Sequence, residues 1–430
     1  MKVLMLSTDN KILEEGSEAN LRMREYAGLF EGLYIVVANS GNPHLNPPPD
    51  YRGRKIEEGK PFIYSTNSGN KLRALWGAYK IGKKILSDDN VRLPRPRGLG
   101  LAMTEGDGGR KDWVITSQDA FELGLVGYLL KKKFGVPLQL QIHTDFLSPY
   151  FWHESLKNKI RVLLAKWLLP KADGVRVVSE RIKKSLESSL RGFTKQSREV
   201  SLEIAAPACR QAGRSRTPPR NDGIVVLPIF VDMEKIKGAP VKTDLHKKYP
   251  QFDSIILMAS RLSSEKNIGF AIEAMSEVAK RHPKAGLVIV GEGPETENQK
   301  SNIKYKKLEE SIEMEPWTED LASYCKTADL FLLTSNYEGY GRTIVEAMAA
   351  GLPVIMTDVG VAGDLVKDGQ NGYVIDVGDK RGLAERVSKV IEDKALREEF
   401  SKNNLEAVKS LPNKEAYLRE YKESISKIIV

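Results

Sequence analysis

The sequence predicts an α/β protein built from two doubly wound parallel sheets that face each other across a cleft, on three observations. Short strands that are apolar throughout alternate with amphipathic helices, and this indicates parallel sheets covered on both faces. The alternation stops near residue 230 and restarts at SIILMAS, so there are two such blocks. At 430 residues the chain is also too long for one ordinary core and long enough for two.

In the first block the strands are VLML (3–6), YIVVA (34–38), WVIT (113–116), PLQLQIH (137–143), GVRVV (174–178) and IVVLP (224–228). In the second they are SIILMAS (254–260), GLVIVGEG (286–293), SIEME (311–315), LFLLTS (330–335), PVIMT (353–357) and GYVID (372–376). Segment 267–281 shows the helical pattern between strands, with Ile268, Ala271, Ile272, Met275, Val278 and Ala279 on one face. The expected domains are 1–230 and 231–412, with a linker near Phe230–Tyr249. The helical stretch 413–430 would pack back at the domain junction.

Composition excludes several function classes. The opening MKVLMLST is too short an apolar run before TDNKILEEGSE to read as a signal peptide. No apolar run approaches the ~20 residues that span a bilayer. Two cysteines, Cys209 and Cys325, imply no disulfide framework, and five scattered histidines show no metal-ligand spacing. A cytoplasmic protein without bound metal or cofactor is expected. The net charge of +9 comes from three Pro-, Gly- or Arg-rich segments, 44–55, 92–111 and 191–222, which carry +2, +3 and +4. The body is balanced, which argues against a nucleic-acid partner. The three segments interrupt the alternation and read as loop insertions.

The chemistry gathers at strand ends of the second block. After LFLLTS comes NYEGYGRTIVEAMAAG, with a helix expected to begin near Arg342. A helix that starts after a Gly-Tyr-Gly turn presents unpaired N–H groups to an anion. Glu338 precedes that helix, and Glu346 lies one turn inside it, where its side chain leans back toward the N-terminus. Carboxylates repel phosphate, so both suit hydroxyl groups, as on a ribose and a hexose. Arg261 and Lys266, at the end of IILMAS, form a candidate diphosphate clamp. Gly291 and Gly293, in GEGP, make a tight turn read as leaving room for a flat base.

Together ASRLSSEKN, IVGEGP, ADLFLLTSNYEGYGRTIVEAMAAGLPVI and two glutamates with seven residues between them resemble retaining glycosyltransferases of the GT-B fold, family 4, the glycosyl transferases group 1. The resemblance covers nearly the full length outside the insertions and is sharpest from Ser254 to Asp376. It implies two Rossmann-like domains, an N-terminal acceptor-side one and a C-terminal one that binds the nucleotide sugar. It implies that Arg261 and Lys266 neutralise the donor diphosphate, that Glu338 engages the donor sugar at the reacting end and that Glu346 binds the ribose. Backbone amides of Gly339, Tyr340, Gly341, Arg342 and Thr343 would cradle sugar hydroxyls and phosphate. Gly16 matches the glycine loop that approaches the phosphates, although Gly16-Ser17 stands where many relatives have Gly-Gly. His143 matches a histidine near the donor sugar, with Asp145 a weaker neighbour.

The implied activity moves a hexose from a nucleoside-diphosphate sugar to a glycan or lipid-linked acceptor, with retention. No Asp-x-Asp occurs in the sequence, so cations and the helix start would serve in place of a divalent metal. A sugar-nucleotide epimerase of the same fold and a non-catalytic sugar-nucleotide-binding protein are the alternatives. Segment 155–174 reads either as a peripheral membrane contact near a lipid-linked acceptor or as core-facing helices with solvated lysines.

Overall fold

The structure is a computed structural model that describes residues 1–39, 60–87, 112–189 and 223–429. The insertions 44–55, 92–111 and 191–222 lie outside the described residues. The first sheet holds β1 (Lys2–Ser7), β2 (Gly32–Val37), β3 (Phe62–Ser65), β4 (Trp113–Ser117), β5 (Leu138–Ile142), β6 (Gly174–Val177) and β7 (Ile224–Val226). They lie in the order β3-β2-β1-β4-β5-β6-β7, all parallel. The second sheet holds β8 (Ser254–Ala259), β9 (Ala285–Val290), β10 (Ile312–Glu315), β11 (Leu330–Leu333), β12 (Val354–Thr357) and β13 (Gly372–Ile375). Their order is β10-β9-β8-β11-β12-β13, again all parallel.

Helices cover both faces. In the first half they are α1 (Glu18–Ala27), α2 (Lys71–Ser87), α3 (Glu122–Phe134), α4 (Pro149–Glu154), α5 (Leu156–Leu168) and α6 (180–189). Two short helices, α7 (Met233–Gly238) and α8 (Leu245–Lys248), occupy the expected linker. The second half adds α9 (Ile268–Arg281), α10 (Thr296–Tyr305), α11 (Leu321–Thr327), α12 (Arg342–Ala349), α13 (Lys380–Glu392), α14 (Lys394–Ala407) and α15 (Lys414–Ser426). The central strands are buried on both sides, and all six residues of β2 are inaccessible or nearly so. Burial of both faces is why these strands read as unbroken apolar runs rather than alternating ones.

β3 was not expected from the sequence. It is a four-residue edge strand, half-exposed at Phe62 and Ile63, so it carries too little apolar signal to stand out. The Phe62 ring stacks on Tyr34 of β2 at 4.9 Å.

Each sheet reverses direction of growth once, between β1 and β4 in the first and between β8 and β11 in the second. Loops at the carboxyl ends of strands flanking such a reversal diverge and leave a crevice. The loops after β1, β8 and β11 carry Gly16, Arg261 with Lys266, and Glu338, and His143 follows β5.

α15 leaves the second half and packs on the first sheet. Its Tyr417, Tyr421 and Ile425 share a core with Val3, Met5, Met23, Tyr26 and Ile35. Tyr421 stacks on Tyr26 at 4.1 Å, the Tyr26 and Tyr417 hydroxyls lie 3.0 Å apart, and the buried Arg176 guanidinium sits 5.0 Å over the Tyr421 ring. Gln139 of β5 donates to the Ser424 carbonyl at 2.7 Å. Beyond the helix, Ile428 fills the space beside Gly174 of β6, 2.3 Å from where a Cβ would stand. Removing the Tyr421 ring leaves a cavity and takes the aromatic face from Arg176. Tyr421→Ala is therefore expected to cost about 3–5 kcal/mol in urea denaturation, whereas Tyr421→Phe should cost far less. Equal midpoints for wild type and the alanine variant would show that α15 does not hold the first sheet.

Candidate functional site

The loop after β8 is held by the loop after β9. Leu262 N–H donates to the Glu292 carbonyl at 3.0 Å. A Cβ on Gly291 would stand 1.9 Å from the Ser260 carbonyl oxygen, and one on Gly293 would stand 2.2 Å from that of Leu262. Gly291 also has φ +140°, which other residues rarely adopt. The missing side chains thus serve the close approach of the two loops. The space beside both Cα atoms is taken by the backbone of the segment that leads to Arg261 and Lys266.

The loop after β11 is tied to the same segment. The Thr334 hydroxyl donates to the Lys266 and Asn267 carbonyls, each at 3.1 Å. Asn336 N–H donates to the Glu265 carbonyl at 2.8 Å, and Asn267 Nδ2 donates to Asn336 Oδ1 at 2.9 Å. These bonds bring Lys266 Nζ onto Glu338 Oε1, which also accepts from the Ser335 hydroxyl at 2.8 Å. Lys266 and Glu338 are 21% and 12% exposed, so the pair sits in a poorly screened setting. Arg261, 69% exposed, stands at the rim and reaches Glu265 and Ser263 at 3.3 Å each.

Next comes α12. Gly341 precedes it in the left-handed conformation (φ +88°) and supplies no side-chain cap. The first-turn N–H groups are thus not capped by the side chain of that residue, as an anion site needs. The Tyr340 side chain is buried in the core, so of Tyr340 only the backbone faces the loop, and its carbonyl accepts from Val361 N–H at 3.0 Å. Gly360 lies against this turn: a Cβ there would stand 2.5 Å from the Tyr340 oxygen and 3.1 Å from Glu338 Cβ. Arg342 pairs through Nε with Glu346 at 2.8 Å and through Nη2 with Glu18 at 2.8 Å. Burial raises the Glu346 carboxyl above its ordinary range, against the opposing pull of Arg342. Thr343 is the second residue of the helix and is half-buried.

The two halves meet around these loops. A Cβ on Gly339 would lie 1.8 Å from the His143 carbonyl oxygen, so the loops after β5 and β11 touch backbone to backbone. Glu154, ending α4, accepts from the Ser264 hydroxyl at 2.7 Å and from the Tyr337 hydroxyl at 2.8 Å. Arg181 pairs with Asp358 and donates to the Ala362 carbonyl at 3.2 Å. Glu18 brings α1 to Arg342, and Gly16 lies two residues before it with φ +83° and open space beside its Cα. Ser17 caps α1 by accepting from Asn20 N–H at 3.1 Å. That cap is a structural use for the serine that stands in place of a second glycine.

His143 Nε2 lies 3.3 Å from Gln141 Oε1. Desolvation, reinforced by Arg176 and Arg22, pushes its imidazole down to about 3. His143 is therefore a neutral hydrogen-bonding group at physiological pH. Burial raises the nearby Asp145 carboxyl, with Arg181 opposing.

The structure thus joins Lys266 to Glu338, Gly339 to His143 and Glu346 through Arg342 to the helix that follows Gly16, with Arg261 at the rim of the same loop. Sequence reasoning missed Glu18, Glu154, Tyr337, Arg181 and Gly360. For Glu18 a signal existed, an acid in the first turn after a glycine loop. Glu154 and Arg181 read as ordinary surface charges. Chemically, the arrangement offers cations and a helix start to an anion, beside carboxylates that suit hydroxyls.

Residues 242–407 match the family model of glycosyl transferases group 1. The poly(glycerol-phosphate) alpha-glucosyltransferase of Bacillus subtilis (strain 168) is 35% identical over 146 residues, which are 34% of this chain and 22% of that one. Seven further curated relatives are matched over 37% to 67% of their own length. Among solved structures, HepE of Anabaena in complex with UDP and glucose superposes with a TM-score of 0.69 at 19% identity, covering 99% of this chain and 100% of that one. Sucrose-phosphate synthase from Thermosynechococcus elongatus gives 0.71 at 17% identity, covering 100% and 99%. The fold is GT-B.

The state of His143 is open to direct measurement. In a side-chain NMR titration, an ordinary histidine changes charge near pH 6.5, whereas His143 is expected to keep the shifts of a neutral ring at pH 5. A His143 signal titrating between pH 6 and 7 would contradict the desolvation of its ring.

Proposed function

We propose, from the match of residues 242–407 to the family model of glycosyl transferases group 1, that this chain moves a hexose from a nucleoside-diphosphate sugar to a glycan or lipid-linked acceptor. The observation that carries the reading is the Lys266–Glu338 pair beside the uncapped start of α12. It sets a cation, a carboxylate and the backbone N–H groups that open α12 within one small region. HepE, whose complex holds UDP and glucose, shares this fold and supports a uridine diphosphate donor.

In this reading Lys266, Arg261 and the first-turn amides of α12 receive the diphosphate. Glu338 accepts from hydroxyls of the transferred sugar, and Glu346 accepts from those of the ribose. The backbone of Gly16 approaches the phosphates, and that of Gly291 and Gly293 borders the base. Neutral His143 bonds to the sugar without adding positive charge beside a carbon that is becoming positive. As the bond from the anomeric carbon to phosphate oxygen breaks, its electron pair leaves with the phosphate. Donors already fixed toward that phosphate stabilise the charge without reorganising. The acceptor oxygen bonds to the anomeric carbon on the same face, with retention, and its proton passes to the departing phosphate. No divalent metal is required.

Kinetics with a UDP-sugar panel test these roles. Lys266→Ala is expected to lower kcat/KM roughly 10- to 150-fold, the equivalent of one charge-assisted hydrogen bond, with Arg261→Ala weaker because of its exposure. Glu338→Gln should act mainly on kcat and Glu346→Gln mainly on KM. Wild-type constants in all four variants would remove the site. Because the Glu346 carboxyl is raised, KM should climb with falling pH from above the usual carboxylate range, as protonation removes the acceptor. That limb should vanish in Glu346→Gln. Turnover should also survive excess EDTA, and a strict Mg²⁺ or Mn²⁺ requirement would defeat the metal-free reading.

A further inference from the structure

α5 is apolar on two opposite faces. Asn158, Val162, Ala165 and Leu168 line its buried side. Leu156, Ile160, Leu163 and Trp167, spaced four, three and four residues apart, line the other, with Leu156 74% and Leu163 60% exposed. Such a helix is ordinarily covered all round, and this outer stripe is open. It does not stand alone. Trp167 packs edge-on against Tyr128 of α3 at 5.3 Å, and Glu122 at the start of α3 pairs with both Arg161 of α5 and Lys71 of α2. Next to Lys71, Leu72 is 80% exposed, and Trp76 follows one turn on. Helices α2, α3 and α5 therefore share one outward face of large apolar side chains.

Around them the charge is basic. Lys133 of α3 is pushed below its usual range first by the Lys83 ammonium of α2, and Lys157 first by Arg161 and then by Lys71. Lys133 faces Lys83 and Lys157 faces Lys71 across helices, while Lys157 also lies beside Arg161 of its own helix, so cations crowd this face beyond what Glu122 neutralises. Lys171 and Lys80 lie over the rings of Trp167 and Trp76, at 4.0 and 5.5 Å, so aromatic and cationic groups are interleaved. Exposed aromatics and leucines among lysines are what a helix lying in the headgroup region of a bilayer presents. Among the described residues no helix is long and apolar enough to cross a membrane, so the contact is superficial.

We propose that the face formed by α2, α3 and α5 docks on an anionic lipid bilayer, with the Leu156–Trp167 stripe inserted among the headgroups and the flanking lysines on lipid phosphates. The stripe starts at the edge of the candidate site, since Leu156 lies two residues beyond Glu154, which bonds Tyr337 beside Glu338. Docking would therefore set the opening between the two halves next to the membrane. Only this last step, presenting a lipid-linked acceptor, rests on the glycosyltransferase reading.

The test uses the full chain and flotation with vesicles of phosphatidylglycerol and phosphatidylcholine, against phosphatidylcholine alone. Binding is expected to the anionic vesicles only, and to weaken with salt. Leu156→Ser, Ile160→Ser, Leu163→Ser and Trp167→Ser combined should lower partitioning at least tenfold with unchanged circular dichroism and UDP-sugar hydrolysis. Lys83→Glu and Lys133→Glu should each lower it about fivefold or more, and Trp167→Phe should retain binding. Absence of wild-type binding at low salt, or undiminished binding by the fourfold variant, overturns the proposal. So does a wild-type dimer that the fourfold variant breaks while vesicle binding is absent, which would assign the face to a second copy. Vesicle binding by a protein that hydrolyses no UDP-sugar would uphold this surface and reject the catalytic reading instead.

Discussion

Gly339 has no side chain, and the carbonyl oxygen of His143 stands 1.8 Å from where one would begin. Through this contact the carboxyl-end loops of the two sheets approach backbone to backbone. The Glu154 bonds to Ser264 and Tyr337, the Arg181–Asp358 pair and the Glu18–Arg342 pair are arranged around it. Each belongs to a loop or helix end already aimed by its own sheet, so the sheets set direction and the glycine sets distance. Any larger residue at 339 would hold the loops apart, and pairs that are 2.7 to 2.8 Å long would lose their reach together.

The electrostatics of the region follow from that closeness. Lys266 and Glu338 satisfy each other where water is scarce, and a mostly buried pair is expensive to break from one side only. An incoming anion that takes over part of the Lys266 contact does not leave Glu338 stranded, because Ser335 still donates to it. Arg342 works similarly, shared between Glu18 in one half and Glu346 in the other. Groups that would bind a ligand are thus kept in position by partners within the chain.

What could be read from the sequence was what depends on neighbours along the chain. Buried parallel strands such as β2 and β9 announce themselves by composition, and α12 by the Gly-Tyr-Gly turn before Arg342. β3 escaped because an edge strand of four residues, two of them only partly covered, has no such signature. Gly291 and Gly293 advertise close approach in the sequence without saying to what, and the structure places the Ser260 and Leu262 backbone there. Glu154 and Tyr337 are 183 positions apart, and only the folded chain shows that they bond. For α5 the apolar positions were visible in sequence. Which of its two stripes the protein covers was not, since periodicity marks a face without naming what lies against it.

The return of α15 to the first sheet bears on how the molecule comes to exist. Tyr26 and Tyr417 are separated by 391 positions, yet they belong to one core with β1 and β2. During synthesis, one side of the N-terminal sheet must wait, with Met5, Met23 and Tyr26 uncovered, until residues 414–428 leave the ribosome. Exposed apolar surface of that kind invites misassociation while it lasts, and it is what chaperones hold. The second sheet, complete before α15 appears, has no such delay. The N-terminal sheet, made before the second, is therefore finished after it, when α15 closes its open side.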